Sequence, residues 1–209
     1  MIPILTYAAV LLMAYLLGCS NMALYISRSR GIDLRKNGSG NLGASNAMLQ
    51  MGWKAGIAVA LHDGAKAFLA VLAAKLLAPD LPLIGAAAGV AAVMGHMFPF
   101  YLKFRGGKGF ASYIGMTIAL NWRFALIIML IVVVVTVVTD YIVVGTVTTV
   151  LSVPAYLGWS GRNLLLFAVL FLASAVILWK HRENYVRIWK GTEIGLRRAN
   201  RGDDRVVKR

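Results

Sequence analysis

The sequence predicts an all-α polytopic integral membrane protein with seven transmembrane helices. Hydrophobic residues make up 59% of the chain and charged residues only 14%, and the mean hydropathy is +0.72. Soluble proteins are about 45–50% apolar and about 25% charged, and a chain of 209 residues has too much surface to bury this excess in water. The apolar residues also fall into seven runs, and positive charge is concentrated in alternate breaks between them.

Residues 2–26 form the first apolar run. Only Met1 precedes it, whereas basic residues follow it, beginning with Arg28 and Arg30. A signal peptide carries its basic residues before its apolar run, so we interpret this run as a retained helix whose C-terminal end is cytoplasmic and whose N-terminus is outside.

Six further apolar runs follow, separated by Pro, Gly, Asn or charged residues. They lie at 47–78, 83–101, 110–121, 124–139, 141–159 and 164–179. The run at 110–121 is short for a crossing, which takes about 20 residues, and the break at Asp140 is one charge wide. Five spans, with two runs re-entrant or merged with their neighbours, are therefore the alternative. With no internal repeat or soluble domain, residues 1–209 are predicted to form a single membrane-embedded domain.

The distribution of positive charge predicts the topology. With seven crossings, the inside segments carry 17 of the 22 Lys and Arg residues, as the positive-inside rule requires. These segments are 28–45, 102–109, 139–141 and the basic C-terminal segment 180–209. The net charge of +14 suits an anionic membrane surface or a phosphorylated substrate, and the apolar bulk argues against nucleic acid as a partner.

Three polar segments on this predicted cytoplasmic side carry the candidate chemistry. The first, residues 37–46, contains three glycines, two serines and three asparagines. Small residues let backbone N–H groups converge on an oxyanion, and Ser and Asn add donors. Ser45 or Asn46 is expected to cap the following helix and so place its positive end at a bound anion. The candidate phosphate ligands are Gly38, Ser39, Gly40, Asn41, Ser45 and Asn46. The alternative is a plain connecting loop.

The second segment contains Gly-Gly-Lys-Gly but lacks the spacing of a nucleotide-binding Walker loop. Backbone donors, an ammonium and a guanidinium just before a helix start predict a phosphate site, with the glycines supplying positive-φ freedom. The candidate ligands are Arg105, Gly106, Gly107, Lys108 and Gly109. The alternative is a basic anchor at the membrane surface.

The third segment, 181–193, places His181 and Asn184 on one face of a predicted helix. A basic helix lying on anionic lipid explains the other charges of this segment, but not these two residues.

Ionisable residues also lie within the apolar runs. Asp63 and Lys66 are i,i+3 neighbours, and either a structural ion pair or a substrate role explains them. His96 lies near the cytoplasmic end of its run, where it either orients the Lys108 loop or bonds a backbone carbonyl. No cluster has metal-ligand spacing, so neither a metal nor another cofactor is predicted. Cys19 is the single cysteine, which excludes an internal disulfide.

In order and spacing, the three segments resemble the acyl-phosphate:glycerol-3-phosphate acyltransferase (PlsY) family of bacterial membranes. Gly38-Ser39-Gly40-Asn41, Phe104-Arg105-Gly106-Gly107-Lys108-Gly109 and His181-Arg182-Glu183-Asn184 carry the resemblance, which covers essentially the whole chain. It implies a seven-span protein of the bacterial cytoplasmic (inner) membrane with a cytoplasm-facing site. It also implies transfer of a fatty acyl group from acyl phosphate to glycerol 3-phosphate. The products would be 1-acyl-glycerol 3-phosphate (lysophosphatidic acid) and inorganic phosphate, in the first acylation step of phospholipid synthesis.

Carried over by position, the resemblance implies catalytic roles for Ser39, Lys108, His181 and Asn184. It implies substrate-binding roles for Thr146 and Glu193, in addition to the loop residues above. The expected partners are acyl phosphate, glycerol 3-phosphate and membrane lipids, with no obligatory protein partner.

Some positions depart from the family pattern. Leu49 stands where the family often has Arg, which removes a natural phosphate ligand. Asp140 and Val143 replace an Arg or Lys and a Ser, Thr146 replaces a Ser, and Ser45 keeps the hydroxyl of a Thr. A divergent acyltransferase with another acceptor is therefore an alternative function.

The mechanism expected from these residues is direct attack of the 1-hydroxyl on acyl phosphate without an acyl-enzyme, because a mixed anhydride is already activated. The H-x-x-x-x-D motif of coenzyme-A-dependent glycerolipid acyltransferases is absent at all three histidines. A small membrane carrier for phosphorylated metabolites or anions would use similar anion loops, and it is the alternative from another functional class.

Overall fold

The computed structural model describes residues 2–200; Met1 and 201–209, the end of the predicted basic C-terminal segment, lie outside the described residues. All regular structure in residues 2–200 is helical. Helices satisfy their backbone hydrogen bonds internally, which a bilayer requires. The chain divides into two compact units, Met1–Trp122 and Arg123–Arg209.

The first unit contains six α-helices and a 3₁₀ turn at Phe100–Leu102. The helices are α1 (Ile2–Cys19), α2 (Met22–Ser29), α3 (Ala44–Met51), α4 (Trp53–Leu77), α5 (Ile84–Met97) and α6 (Phe110–Leu120). Two of the predicted runs are broken. Asn21 Oδ1 accepts the Leu24 N–H at 2.8 Å and starts α2 as a new helix, and Gly52, with φ +90°, separates α3 from α4.

Glycines bring the helices of this unit together. A Cβ on Gly18 of α1 would overlap the Ala92 carbonyl of α5, and one on Gly95 would overlap the Tyr15 carbonyl. A Cβ on Gly115 of α6 would overlap the Gly64 carbonyl of α4. Such close backbone approach is the usual way in which helices pack in lipid, where no hydrophobic force drives them together.

The second unit is built from the remaining helices, with a π-helical turn at Ala155–Trp159. They are α7 (Trp122–Thr139), α8 (Ile142–Pro154), α9 (Leu164–Lys180), α10 (Arg182–Trp189) and α11 (Leu196–Asn200). Asp140, with φ +72°, separates α7 from α8. Asn163 caps α9 by accepting the Leu166 N–H at 2.9 Å.

The prediction of a helical, multi-pass membrane protein is confirmed. Among the described residues, five helical stretches are long and apolar enough to cross a bilayer: 4–29, 53–77, 84–102, 122–139 and 142–159. Counting α9 and α10, which meet at a 45° bend, as one span gives six. The predicted run at 110–121 forms a helix of only 11 residues, so length and composition do not yield seven. Large apolar side chains cover the outside of α7, where Leu130 and Val138 are 65% and 72% exposed, as suits a lipid-facing surface.

Candidate active site

Asn46 organises the first glycine-rich loop. Its buried side-chain Nδ2 lies 3.2, 3.1 and 3.0 Å from the carbonyl oxygens of Leu34, Asn37 and Asn41, which share its two N–H groups. Its Oδ1 accepts the Ser39 N–H at 3.1 Å. One amide therefore holds four points of the loop, because Asn carries both donors and acceptors.

The prediction that Ser45 or Asn46 caps the following helix is wrong. α3 begins at Ala44 with Gly43 at the N-cap and no side-chain cap bond, so both residues lie inside the first turn. Asn46 uses its amide on the loop instead. Gly38 is required beside it, because its φ is +59° and a Cβ would overlap Asn46 Oδ1.

The exposed side of this loop presents hydroxyl groups, and the basic residue Arg35 lies just before the loop. Ser39 and Ser45 are exposed, and Gly40, with φ +68°, closes the turn over the Arg35 carbonyl. Arg35 Nε donates to Asp33 at 2.9 Å, and these hydrogen bonds from Arg35 hold the pKa of the Asp33 carboxyl below its usual value. Asp33 thereby partly offsets the positive charge of Arg35.

The Gly-Gly-Lys-Gly loop is held against the C-terminal end of α5. The Gly106 N–H donates to the Met97 carbonyl and the Gly107 N–H to the His96 carbonyl, both at 3.1 Å. The expectation that these two amides bind phosphate is therefore not met, because both N–H groups are already donated within the protein.

The reason for the two glycines also differs from the sequence prediction. Among the three glycines of this loop, only Gly109 has a positive φ, at +93°. A Cβ on Gly106 would overlap the His96 carbonyl oxygen, and one on Gly107 would overlap His96 Nε2. Close approach to His96, rather than conformational freedom, requires glycine at 106 and 107.

Besides the Gly106 and Gly107 amides, this loop contains cationic side chains and leads into a helix start. Lys108 is half-buried and Arg105 is exposed. α6 begins at Phe110, immediately after Gly109. The first N–H groups of a helix have no intrahelical partner and carry partial positive charge. This arrangement suits a phosphate group.

A buried polar cluster lies behind the loop. Asp63 Oδ1 lies 3.0 Å from Lys66 Nζ and 3.3 Å from His96 Nδ1, and Lys66 Nζ lies 2.9 Å from His96 Nδ1. All three side chains are 2–3% exposed. Charges this deeply buried must be paired, and here the carboxylate and the ammonium both meet the histidine that shapes the Gly107 backbone.

The junction between α1 and α2 connects this cluster with the first loop. Lys66 Nζ donates to the Ser20 carbonyl at 2.7 Å, and Asn21 Nδ2 donates to the Leu42 carbonyl at 3.4 Å. Leu42 and Leu102 also belong to one buried hydrophobic cluster. The loops containing Ser39 and Lys108 therefore lie at the same end of the first unit. Sequence reasoning did not identify Ser20 and Asn21, although a Ser-Asn pair inside an apolar run is a helix-start signal.

In the second unit, His181 is buried at the joint between α9 and α10. Its Nδ1 lies 2.8 Å from the Ile177 carbonyl oxygen. A carbonyl only accepts, so Nδ1 is the donor in this contact. The bond fixes the orientation of the ring.

Glu193 connects two residues of α10. Its Oε1 accepts from Asn184 Nδ2 and its Oε2 from Arg187 Nε, both at 2.5 Å. The side chain of Asn184 is therefore oriented by a carboxylate that is itself paired. Thr146 is buried in α8, where its Oγ1 donates to the Ile142 carbonyl at 3.2 Å.

Comparison with known proteins gives a match to a family. The sequence model of the family described as Glycerol-3-phosphate acyltransferase matches residues 8–191. A glycerol-3-phosphate acyltransferase of Coxiella burnetii (strain CbuG_Q212) is 38% identical over 184 residues, covering 88% of this chain and 94% of the relative.

Two crystal structures of PlsY, an integral membrane glycerol 3-phosphate acyltransferase, are similar in fold. The glycerol 3-phosphate form has a TM-score of 0.85 at 30% identity, covering 91% of this chain and 95% of that one. The lysophosphatidic acid form has a TM-score of 0.82 at 30% identity, covering 90% and 94%.

Proposed function

Because the chain belongs to the glycerol-3-phosphate acyltransferase family, we propose that it uses acyl phosphate as the donor and acylates the 1-hydroxyl of glycerol 3-phosphate. The chain is a PlsY-type integral membrane acyltransferase. The observation that carries the proposal is the family match over 8–191, which includes the glycine-rich loops and His181 and Asn184. The products are 1-acyl-glycerol 3-phosphate and inorganic phosphate. The comparisons do not favour a carrier.

The donor is chosen on chemical grounds. Acyl phosphate is a mixed anhydride with a good leaving group, so the protein needs to supply position and charge stabilisation rather than a nucleophile. The absence of an H-x-x-x-x-D motif in the sequence argues against acyl coenzyme A as the donor. Both reactants are anions, and the chain carries a net charge of +14.

In the first unit, Lys108 and Arg105 are the proposed phosphate ligands, together with Gly109 and the start of α6. Gly106 and Gly107 set the path of this loop by their contact with His96. The loop organised by Asn46 is proposed to bind the phosphorylated acceptor through Ser39, Asn41 and Ser45, with Gly38 and Gly40 giving its turns.

In the second unit, His181 and Asn184 are the proposed catalytic residues, and Thr146 and Glu193 support them. The glycerol 3-phosphate oxygen forms the new bond to the acyl carbonyl carbon, and the bond from that carbon to the phosphate oxygen breaks. The hydroxyl proton goes to His181 Nε2 or to a phosphate oxygen of the substrate. Asn184, oriented by Glu193, donates to the developing oxyanion.

The protein is proposed to cross the bacterial inner membrane seven times, with its N-terminus outside and its active site facing the cytoplasm. The distribution of Lys and Arg supports this topology, and α6 is its short crossing. In the first unit, the two loops lie at one end. In the second, Asp140 contacts Leu196, so the 139–141 turn and the C-terminal segment lie at one end.

The family model runs through both units, which supports the view that residues 1–209 form one acyltransferase domain. The proposed reaction uses no cofactor, nucleic acid or obligatory protein partner. Membrane lipids are proposed to surround the helices.

The test is an assay of the purified protein in detergent with acyl phosphate and glycerol 3-phosphate. We expect lysophosphatidic acid and inorganic phosphate in equal amounts, and no product with acyl coenzyme A. Product from acyl coenzyme A alone would overturn the donor assignment. Acylation of a different phosphorylated acceptor, with none of glycerol 3-phosphate, would overturn the substrate assignment.

A further inference from the structure

Asp140, in the turn between α7 and α8, holds the C-terminal segment of the described chain. Its Oδ1 accepts the Arg197 N–H at 2.8 Å, and its backbone carbonyl accepts the Leu196 N–H at 2.8 Å. Arg197 Nη2 also donates to the Val137 carbonyl at 3.1 Å. Three hydrogen bonds therefore join residues 196–197 to the end of α7 and its following turn.

The C-terminal segment packs against Asp140 at a glycine, Gly195. Gly195 is buried against the Asp140 carboxylate, and a Cβ at this position would overlap Asp140 Oδ2. Asp140 itself has φ +72°, a conformation that Asp and Asn adopt more readily than most residues. The contact therefore depends on a small residue at 195 and a short acceptor side chain at 140.

The 193–197 segment is also joined to α10 at its other end. The Thr192 and Glu193 N–H groups donate to the Arg187 carbonyl at 2.8 and 3.1 Å. The Glu193 carboxylate bonds Asn184 and Arg187. Only Ile194 separates Glu193 from Gly195. The carboxylate that orients Asn184 is thus placed by a segment whose far end is fixed by Asp140.

We propose that Asp140 is a positioning residue for acyl transfer: it fixes residues 195–197, and through them Glu193 and the Asn184 amide. This inference rests on the proposed role of Asn184. A side chain without a hydrogen-bond acceptor at position 140 could not receive the Arg197 N–H.

The first test compares Asp140→Gly with Asp140→Asn. Glycine adopts φ +72° without strain and removes only the carboxylate, whereas Asn keeps an acceptor. We expect Asp140→Gly to lower kcat on the order of tenfold with a smaller change in KM, and to speed amide exchange at Leu196 and Arg197. Asp140→Asn should restore both. Asp80→Gly, in a different turn, is the control and should change neither.

The second test approaches the contact from the other side, and its single variant does not depend on the folding of Asp140→Gly. Gly195→Ala places a methyl group on the carboxylate, so we expect a loss of kcat on the order of tenfold, with faster amide exchange at Leu196 and Arg197. In the Asp140→Gly background the overlap with the carboxylate is gone and only the contact with the main-chain oxygen of residue 140, at 3.1 Å, remains. The loss that Gly195→Ala adds in that background should therefore be much smaller than its loss in the wild-type chain. Additive losses would overturn the direct contact.

Two further outcomes would overturn the proposal. Full amide protection at 196–197 in Asp140→Gly would mean that Asp140 does not hold the segment. Lost protection with unchanged kcat would mean that it holds the segment but does not position Asn184. An Asp140→Asn protein as slow as Asp140→Gly would mean that the hydrogen bond to the Arg197 N–H does not set kcat. Wild-type protein inactive on glycerol 3-phosphate would instead overturn the proposed function, while the exchange data would still decide whether the contact exists.

Discussion

The His96 imidazole packs on the backbone of Gly107, and the His96 carbonyl accepts the Gly107 N–H at 3.1 Å. One residue thus shapes the loop before Lys108 with both its ring and its main chain. The ring nitrogen Nδ1 in turn lies 2.9 Å from Lys66 Nζ and 3.3 Å from Asp63 Oδ1. A buried ion pair within the membrane-spanning α4 therefore supports the loop that carries the proposed phosphate ligand.

Gly107→Ala tests this contact. The new methyl group would overlap His96 Nε2, so we expect the ring or the loop to shift, with a loss of stability of about 1–3 kcal/mol and a large loss of kcat. Unfolding in detergent and steady-state kinetics measure the two effects. Gly64→Ala is the matched control, because its Cβ meets only the Ala111 carbonyl at 3.5 Å. Equal behaviour of the two variants would contradict the close packing.

Lys66→Met tests the buried ion pair. It leaves the Asp63 carboxylate buried without its ammonium, and we expect a loss of about 3–5 kcal/mol in the free energy of unfolding. Adding Asp63→Leu should recover most of that loss, because an apolar pair no longer leaves a lone charge. The exposed Lys54→Met is the control, with an expected change below about 0.5 kcal/mol. A Lys66→Met protein as stable as wild type would refute the pairing.

Asn46→Asp keeps the side-chain acceptor Oδ1 but replaces the Nδ2 donor with a second acceptor. The Ser39 N–H keeps its partner, whereas the carbonyls of Leu34, Asn37 and Asn41 lose theirs and face a carboxylate. We expect a loss of about 1–3 kcal/mol of stability and a raised KM for glycerol 3-phosphate. Asn163→Asp makes the same chemical change at a helix cap, where Asp serves equally well, and should be neutral. An unchanged KM for glycerol 3-phosphate in Asn46→Asp would mean that this loop does not bind glycerol 3-phosphate.

Lys108→Ala removes the proposed phosphate ligand. We expect at least about a 100-fold loss of kcat/KM, since a preorganised charge at the reacting phosphate is lost, with the thermal transition in detergent unchanged. Lys103→Asn, in the same loop, removes an exposed charge and tolerates the φ of +53° at that position. It should retain most of its activity. Similar activity in the two variants would mean that Lys108 acts only as a basic anchor.

The helical membrane fold follows from residue chemistry that acts locally. Apolar runs near 20 residues long bounded by Pro79, Asn121 or Asn163 predict helices whose ends differ from the observed ones by a few residues. The breaks at Asn21 and Gly52 escaped prediction because a cap or a positive φ interrupts a helix without changing its hydropathy. The family resemblance of the three polar segments was confirmed by the family match over 8–191.

The candidate site was predictable in its residues but less so in their roles. The residue types at Gly106 and Gly107 predict flexible phosphate donors, yet glycine is required there by contact with His96, ten and eleven residues earlier in the chain. The sequence predicts that Ser45 or Asn46 caps a helix, yet the Asn46 amide bonds carbonyls five to twelve residues away. Such roles depend on which atoms come within hydrogen-bond distance, and residue types alone do not encode that distance.

The sequence by itself therefore determined that the chain folds in a lipid bilayer, that it is helical, and which family it belongs to. These properties follow from hydropathy, charge bias and motif order, which can be read along the chain. Tertiary packing decided which amides are already bonded, which histidine nitrogen holds a proton, and which carboxylates pair with which cations. Asp140 illustrates the difference: one charge in a short turn marks only a break between helices. Its contact with residues 195–197 exists only because folding brings positions more than fifty residues apart within 2.8 Å.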